Sequence, residues 1–312
     1  MQDNARSITY GAMMIAMFAI LLAVSVYIPL IGSLTLFFIP LPIMLYRLRY
    51  DRGPSLLVMA TGILVSMLIG GIALLPFSLV FGPLGFIIGD TMKTGKSKLY
   101  TFMASGLTLL IIIVLTYAAT VLFFGINIIE GLLKELRASA EQSALYMERF
   151  GELPENFSKQ MENTITFYEI AIPSLVIIAS FSLAFIIVIL NTVVTKRLGH
   201  KTPIFPPFRE MKLPVVLVWT FLLVLIVELF IPIEPGTTMY LMYVNASVIL
   251  RFLFLIQGIS FIHFFMHEKK SPKWLIVIVT IFAFPLSQFT VILGVLDAGM
   301  NIRAWITRDK SN

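Results

Sequence analysis

The chain contains no cysteine. That excludes disulfides, thiolate metal ligands and a cysteine nucleophile, and it confines redox chemistry on protein sulfur to the methionines. Charge is scarce as well: Asp, Glu, Lys and Arg make up 13% of the 312 residues, about half the share usual in soluble domains. Only three histidines occur, His200, His263 and His267, and their spacing is not that of a metal site. No pair of carboxylates falls at a common membrane depth where acid–base chemistry would need one. The stretch Gly89 to Ser97 looks like a phosphate loop, but five residues separate Gly89 from Gly95 where four are required, and it follows an apolar helix rather than a strand. The expectation is therefore a protein that is not an enzyme and needs no metal or cofactor. Any energy from ATP would come from another chain.

What remains is overwhelmingly apolar. Hydrophobic residues account for 58% of the sequence and the mean hydropathy is +0.94, which predicts an all-α integral membrane protein, a polytopic helical bundle. Asp3 and Arg6 precede a long apolar run with no small-x-small cleavage site, the pattern of an uncleaved signal-anchor. Runs of sufficient length predict spans at roughly 8–30, 34–47, 54–71, 73–92, 99–125, 168–195, 213–232 and 240–266. The second is short and holds Pro40 and Pro42, so a kink or tilt is expected there.

Basic residues collect at alternate connections: Arg6; Arg47, Arg49 and Arg52; Lys93, Lys96 and Lys98; Lys196, Arg197, Lys201, Arg209 and Lys212; Lys269, Lys270 and Lys273. By the positive-inside rule that side is cytoplasmic, with the N-terminus, and the other side is extracytoplasmic. The net charge of +6 reflects these membrane anchors and does not point to nucleic acid. The lipid bilayer is the first partner implied. From Trp274 to Trp305 the chain is again apolar, but a single span would strand Arg303, Arg308 and Lys310 outside. A break at Pro285, with Trp274 to Phe284 rising and Leu286 to Ile302 returning, keeps the basic tail and the C-terminus inside. The order Pro76, Gly85, Gly89, Asp90 is faintly echoed by Pro285, Gly294, Asp297, Arg303.

One hydrophilic segment interrupts the pattern, Asn127 to about Phe167. Its net acidic charge, carried by Glu130, Glu135, Glu141, Glu148, Glu152, Glu155 and Glu162, places it outside. Ile129, Leu132, Leu133, Leu136, Ala140, Ala144 and Met147 recur at helical spacing, and Gly151 and Pro154 punctuate the end. These predict a helix continuing from the fifth span, a turn, and a second helix leading into the sixth. The hairpin either packs on itself as a solvated connector, caps a cavity, binds a partner or lies on lipid. The domain organisation expected is 1–125 for the first five spans, 126–167 for the outer insertion and 168–312 for the remaining membrane helices.

Ionisable groups inside hydrocarbon are costly unless paired or hydrated, so they mark candidate sites. Arg251 is the clearest, near the middle of the eighth span and on a face shared with Ser247 and Gly258 that is expected to point inward; Glu228 is the expected counter-charge. The pair either staples two helices or forms part of an anionic-substrate site or gate. Asn191, Asn245, Gln257 and Gln288 are secondary candidates, each able to make interhelical hydrogen bonds worth about 0.6 to 2 kcal/mol. Asp297 and Arg303 complete the secondary set. Asn245 and His263 lie about five turns apart, too far to form one site; His263 reads as an interfacial hydrogen-bonder.

The first span carries Ala12, Ala16, Ala19 and Ala23 at i, i+4, i+7 and i+11. Small side chains let helix backbones approach closely, so this stripe is a helix-docking face, for the protein's own helices or for a partner. Gly62, Ser66 and Gly70 form a second small-residue face. Together with Pro29-Leu-Ile-Gly-Ser-Leu-Thr-Leu-Phe-Phe-Ile-Pro40, Arg52-Gly-Pro54 and Phe81-Gly-Pro-Leu-Gly-Phe-Ile-Ile-Gly-Asp90, the stripe resembles the substrate-binding S components of energy-coupling-factor transporters over the first 125 residues. The whole chain, including Leu293-Gly-Val-Leu-Asp297 and Arg303, resembles the YybS-type membrane proteins of Firmicutes. The first resemblance implies a small-solute-binding bundle that docks through the alanine face on a transmembrane coupling subunit driven by ATPases. S components usually have six helices, and no ligand contact carries over. The alternative is a non-transporting scaffold of a cell-envelope complex, similar to the MreD proteins.

Overall fold

The computed structural model describes residues 2–151, 156–200, 202, 206–231, 234, 236–300 and 302–308. Glu152, Pro154, Glu155, Lys201 and Lys310, used above, lie outside the described residues. Among the described residues every regular element is a helix, as the composition predicts.

Turn chemistry sets the helix boundaries. α1 (Gln2–Tyr27) gives way to α2 (Pro29–Thr35), α3 (Leu41–Arg49) and α4 (Arg52–Gly70). Proline stands in the first turn of α2 and of α3, where its fixed φ suits a helix start and its missing N–H costs nothing. The short second span is thus an apolar stretch from Pro29 to Arg49 broken near Pro40, as expected. α5 (Leu75–Lys93) and α6 (Lys98–Phe124) follow, the latter capped by the Ser97 hydroxyl accepting from the Tyr100 N–H.

The insertion departs from expectation at its start. Gly125 adopts φ +65°, the left-handed conformation that ends a helix, so α7 (Ile128–Phe150) is a separate helix and not a continuation of the fifth span. The second expected helix is present and merges with the sixth span as one 41-residue helix, α8 (Phe157–Arg197). α9 (Val215–Phe230) has 16 residues, about 24 Å, short for a span of about 30 Å of hydrocarbon. α10 (Thr238–Glu268), α11 (Lys273–Ala283), α12 (Ser287–Met300) and α13 (Ile302–Arg308) complete the chain. Among the described residues seven helices are long and apolar enough to cross a membrane, and up to eight if the pair α11–α12 counts as one broken span. That pair bends by 107° at Pro285, the break that residue type predicts.

The chain divides into two compact units, Met1–Gly131 with Ala179–Phe205, and Leu132–Ile178 with Pro206–Asn312. The first is built around Phe18, Leu22, Ile43, Met44, Leu84, Ile88 and Ile187. Glycines set its closest crossings. A Cβ on Gly85 would strike the Pro40 carbonyl oxygen, and one on Gly106 the Phe181 ring. Gly62 faces Phe18, so the Gly62–Ser66 face packs against α1 within the unit. α1 itself packs through Gly11, Met14, Phe18 and Leu22.

The second unit gathers Val218, Phe221, Val224, Leu250, Phe254 and Ala298. Here α10 and α12 meet glycine to glycine: a Cβ on Gly258 would overlap the Thr290 carbonyl oxygen, and one on Gly294 the Phe254 carbonyl oxygen. Close backbone approach of this kind drives association in lipid, where apolar burial gives no advantage. At this crossing Phe254 meets Gly294 and Gly258 meets Thr290, so position along α12 falls as position along α10 rises.

Gly294→Val should lower stability by about 1–3 kcal/mol through overpacking, read as a fall in thermal midpoint in detergent. Gly53→Ala, at a position with nothing within 4 Å of the added Cβ, should leave the midpoint unchanged or raise it slightly.

Candidate functional site

Arg251 stands thirteen residues after Thr238 on α10, about 20 Å along the helix. Its Nε donates to the Ser247 hydroxyl at 3.1 Å. Its terminal nitrogen lies 4.0 Å from a Glu228 carboxylate oxygen, with the two side chains 50% and 47% exposed. The expected counter-charge is therefore in place but loosely engaged, an ion pair of the kind worth little by itself. Tyr243 lies within hydrogen-bonding reach of both Glu228 and Ser247. The expectation of an inward-pointing arginine is corrected. Ser247 and Gly258 are buried, whereas the long Arg251 stem carries its charge out to a rim.

That rim borders an open groove of about 640 Å³ within the second unit. Its walls are apolar, including Leu222, Phe252, Leu255, Ile292 and Leu296, and the polar side chains on it are Arg251, Ser287 and Gln288. Gln288 is exposed on the wall and makes no side-chain hydrogen bond among the described residues.

A second polar group lies at the far side of the α10–α12 crossing and is closed. Asp297 is fully buried and pairs with Arg303 at 2.7 Å, the arginine side chain being 11% exposed. Gln257 donates to the same carboxylate. Arg303 also donates to the Arg209 carbonyl at 2.6 Å and to the Ser260 hydroxyl at 3.1 Å. Ser260 donates in turn to the carbonyls of Phe208 and Met211, while the Gln257 carbonyl accepts from the Leu213 N–H. The backbone of 208–213 has one 3-10 turn at Phe208–Glu210, and the carbonyls of Phe208, Arg209 and Met211 and the Leu213 N–H are answered by these three side chains. The arrangement is a lock rather than a binding site: its charges are mutually compensated and buried.

The remaining candidates are structural. Asn245 accepts from the Ser174 N–H at 2.9 Å and donates to the Ile170 carbonyl at 2.9 Å. Those two groups are the helical i, i−4 pair displaced next to Pro173 in α8, so the asparagine bridges the gap a membrane proline opens. Asn191 is buried in the first unit and donates to the carbonyls of Phe37 and Ile187 at 2.8 and 2.7 Å. His263 contacts the Thr280 hydroxyl at 2.7 Å, and it does not join Asn245. On α1, Ala12 and Ala16 are exposed, Ala23 is half-buried and Ala19 is buried. The stripe lies about a third of a turn from the packed face of Met14, Phe18 and Leu22.

Sequence reasoning missed one cluster. Arg47, treated as a surface anchor, is 4% exposed and donates to Asp90 through Nε at 3.0 Å and a terminal nitrogen at 2.7 Å. Arg52 grips both oxygens of the same carboxylate at 2.8 and 2.9 Å. The available signal was Asp90 itself, a carboxylate at the end of an apolar helix whose basic neighbours outnumber it.

A family model described as "Predicted membrane protein (DUF2232)" matches residues 16–298. The chain belongs to this family. "Uncharacterized protein YybS" of Bacillus subtilis (strain 168) is 30% identical to it over 306 residues, covering 96% of this chain and 98% of the relative. The YybS-type resemblance read from the sequence is borne out. No solved structure matches. Within this DUF2232 chain the matched stretch includes Arg47, Asp90, Arg251 and Asp297 and stops short of Arg303.

Arg303→Met would leave the Asp297 carboxylate buried without its cation and should cost about 3–5 kcal/mol. Adding Asp297→Asn should restore a large part of that loss, measured by chemical unfolding of the single and double variants in detergent.

Proposed function

We propose that this membrane protein is a small-solute-binding, transport-related subunit, with an anionic solute held at Arg251. The observation that carries this reading is a cation near the middle of α10, bordering an apolar groove and only loosely paired with Glu228. A charged group at that depth is costly, and one retained at the rim of a cavity favours an anion as its partner. The α1 alanine face then supplies the contact with a transmembrane coupling subunit and its ATPases, as the S-component resemblance implies. Exposure of Ala12 and Ala16 supports that role.

A non-transporting, MreD-like scaffold is the second reading. It is favoured by α7, where Leu132, Tyr146 and Phe150 are exposed on an acidic outer helix, a surface suited to a protein partner. In both readings the basic connections face the cytoplasm and the 127–167 insertion lies outside.

Purification of the tagged protein from native membranes in mild detergent, with mass spectrometry of everything retained, tests the assignment. A stoichiometric small anion, or a coupling subunit with ATPases, is the expected result; cell-envelope proteins without a metabolite would transfer the protein to the scaffold class. Arg251→Ala should reduce anion retention about tenfold to a hundredfold, the worth of one charge-assisted hydrogen bond. Its thermal midpoint should stay close to that of the parent, because the Glu228 pair is half-exposed.

A further inference from the structure

We infer that the solute held at Arg251 is a single-chain anionic amphiphile drawn from the bilayer, its charged head on Arg251 and its tail in the groove. This rests on the binding reading above and narrows its ligand class. Polarity on the groove is sparse. Among the described residues Arg251 is the one charged side chain lining it, and Ser287 and Gln288 are its other polar side chains. The rest of the walls contain only apolar side chains, among them Phe252 and Leu255 on α10, Val291 and Leu296 on α12, and Phe221 and Leu222 on α9.

A fully polar solute would find hydrogen-bond partners for its head and none for the rest of its surface, leaving its other polar groups desolvated at a cost. A hydrocarbon chain meets no such penalty. The trough follows α12 from Ser287 to Leu296, nine rises or about 14 Å, room for the greater part of a fatty chain in a volume of about 640 Å³, its end projecting through the open side. The wall residues Leu222, Ile292 and Leu296 are themselves exposed, so the groove opens sideways onto the surface that faces lipid and entry requires no passage through water. At the head end, Arg251 engages Ser247 through Nε and stands at the 4.0 Å limit from Glu228. Its terminal nitrogens are therefore well placed to grip a carboxylate or phosphate oxygen.

The test uses the full chain in phosphatidylcholine nanodiscs with a palmitate analogue bearing a mid-chain diazirine. Photolabelling should map to the segments 248–255 and 291–296. Unlabelled palmitate should compete, and hexadecanol, which lacks the charge, should not. Arg251→Gln should reduce labelling about tenfold. Leu255→Trp, which fills the trough and keeps the arginine, should also abolish labelling at these segments, so the result does not depend on one variant folding. Equal competition by hexadecanol would overturn the proposal and make the groove an ordinary lipid contact or the seat of a partner helix. Protection by acetate as effective as that by palmitate would overturn the amphiphile while leaving an anion site at Arg251. Labelling and protection that are both indifferent to Arg251 would overturn the amphiphile and the anion-binding reading together.

Discussion

A carboxylate in hydrocarbon must be neutralised by the protein that carries it, and much of this structure is arranged around that requirement. Asp297 is fully buried and receives Arg303 and Gln257. Those same two side chains, with Ser260, also hold the backbone of 208–213. One compensated charge thereby organises a loop between two membrane helices, the C-terminal helix and the α10–α12 contact. The first unit repeats the principle with different residues, Asp90 accepting from Arg47 and Arg52. The faint echo between Asp90 and Asp297 in the sequence corresponds to a shared physical need: a carboxylate at the end of a glycine-bearing helix with arginines to match.

The same demand for internal satisfaction explains features that otherwise look like defects. Pro173 interrupts a 41-residue helix, and Asn245 supplies the donor and acceptor that the disturbed ladder needs. Pro285 bends the α11–α12 pair by 107°, and the Thr290 hydroxyl answers the Ala283 carbonyl at the break. With polar groups committed in this way, close packing does the rest. Gly258 and Gly294 bring two backbones together where any side chain would prevent it. α10 is consequently fixed along one side by the glycine crossing and the Asp297 lock, and Arg251 is presented from a rigid helix rather than from a loop.

The helix boundaries were largely legible in the sequence because lipid imposes a simple rule: about twenty apolar residues, then charge or a turn. The break at Pro285 followed from the chemistry of proline, and the pairing of Arg251 with Glu228 from the cost of an isolated charge. Other features were not legible. Gly125 separates α6 from α7 because it takes a left-handed backbone, and glycine in a membrane helix is as often a packing residue as a terminator. Arg47 looked like an anchor among anchors, since nothing in its immediate neighbourhood reveals that Asp90, 43 positions later, lies against it.

By itself, then, the sequence determined the solvent this protein lives in, the type of its elements and the short list of polar residues that had to be compensated. Those follow from composition and local periodicity, which act over a few residues. Only the tertiary structure decided which of those residues are closed and which are open. Asp297 and Arg303 were bound to each other and buried, Asn245 was given to a proline kink, and Arg251 was left at the rim of a groove. The difference depends on distances between helices, and in lipid those distances are set by which side chains are small enough to let two backbones meet.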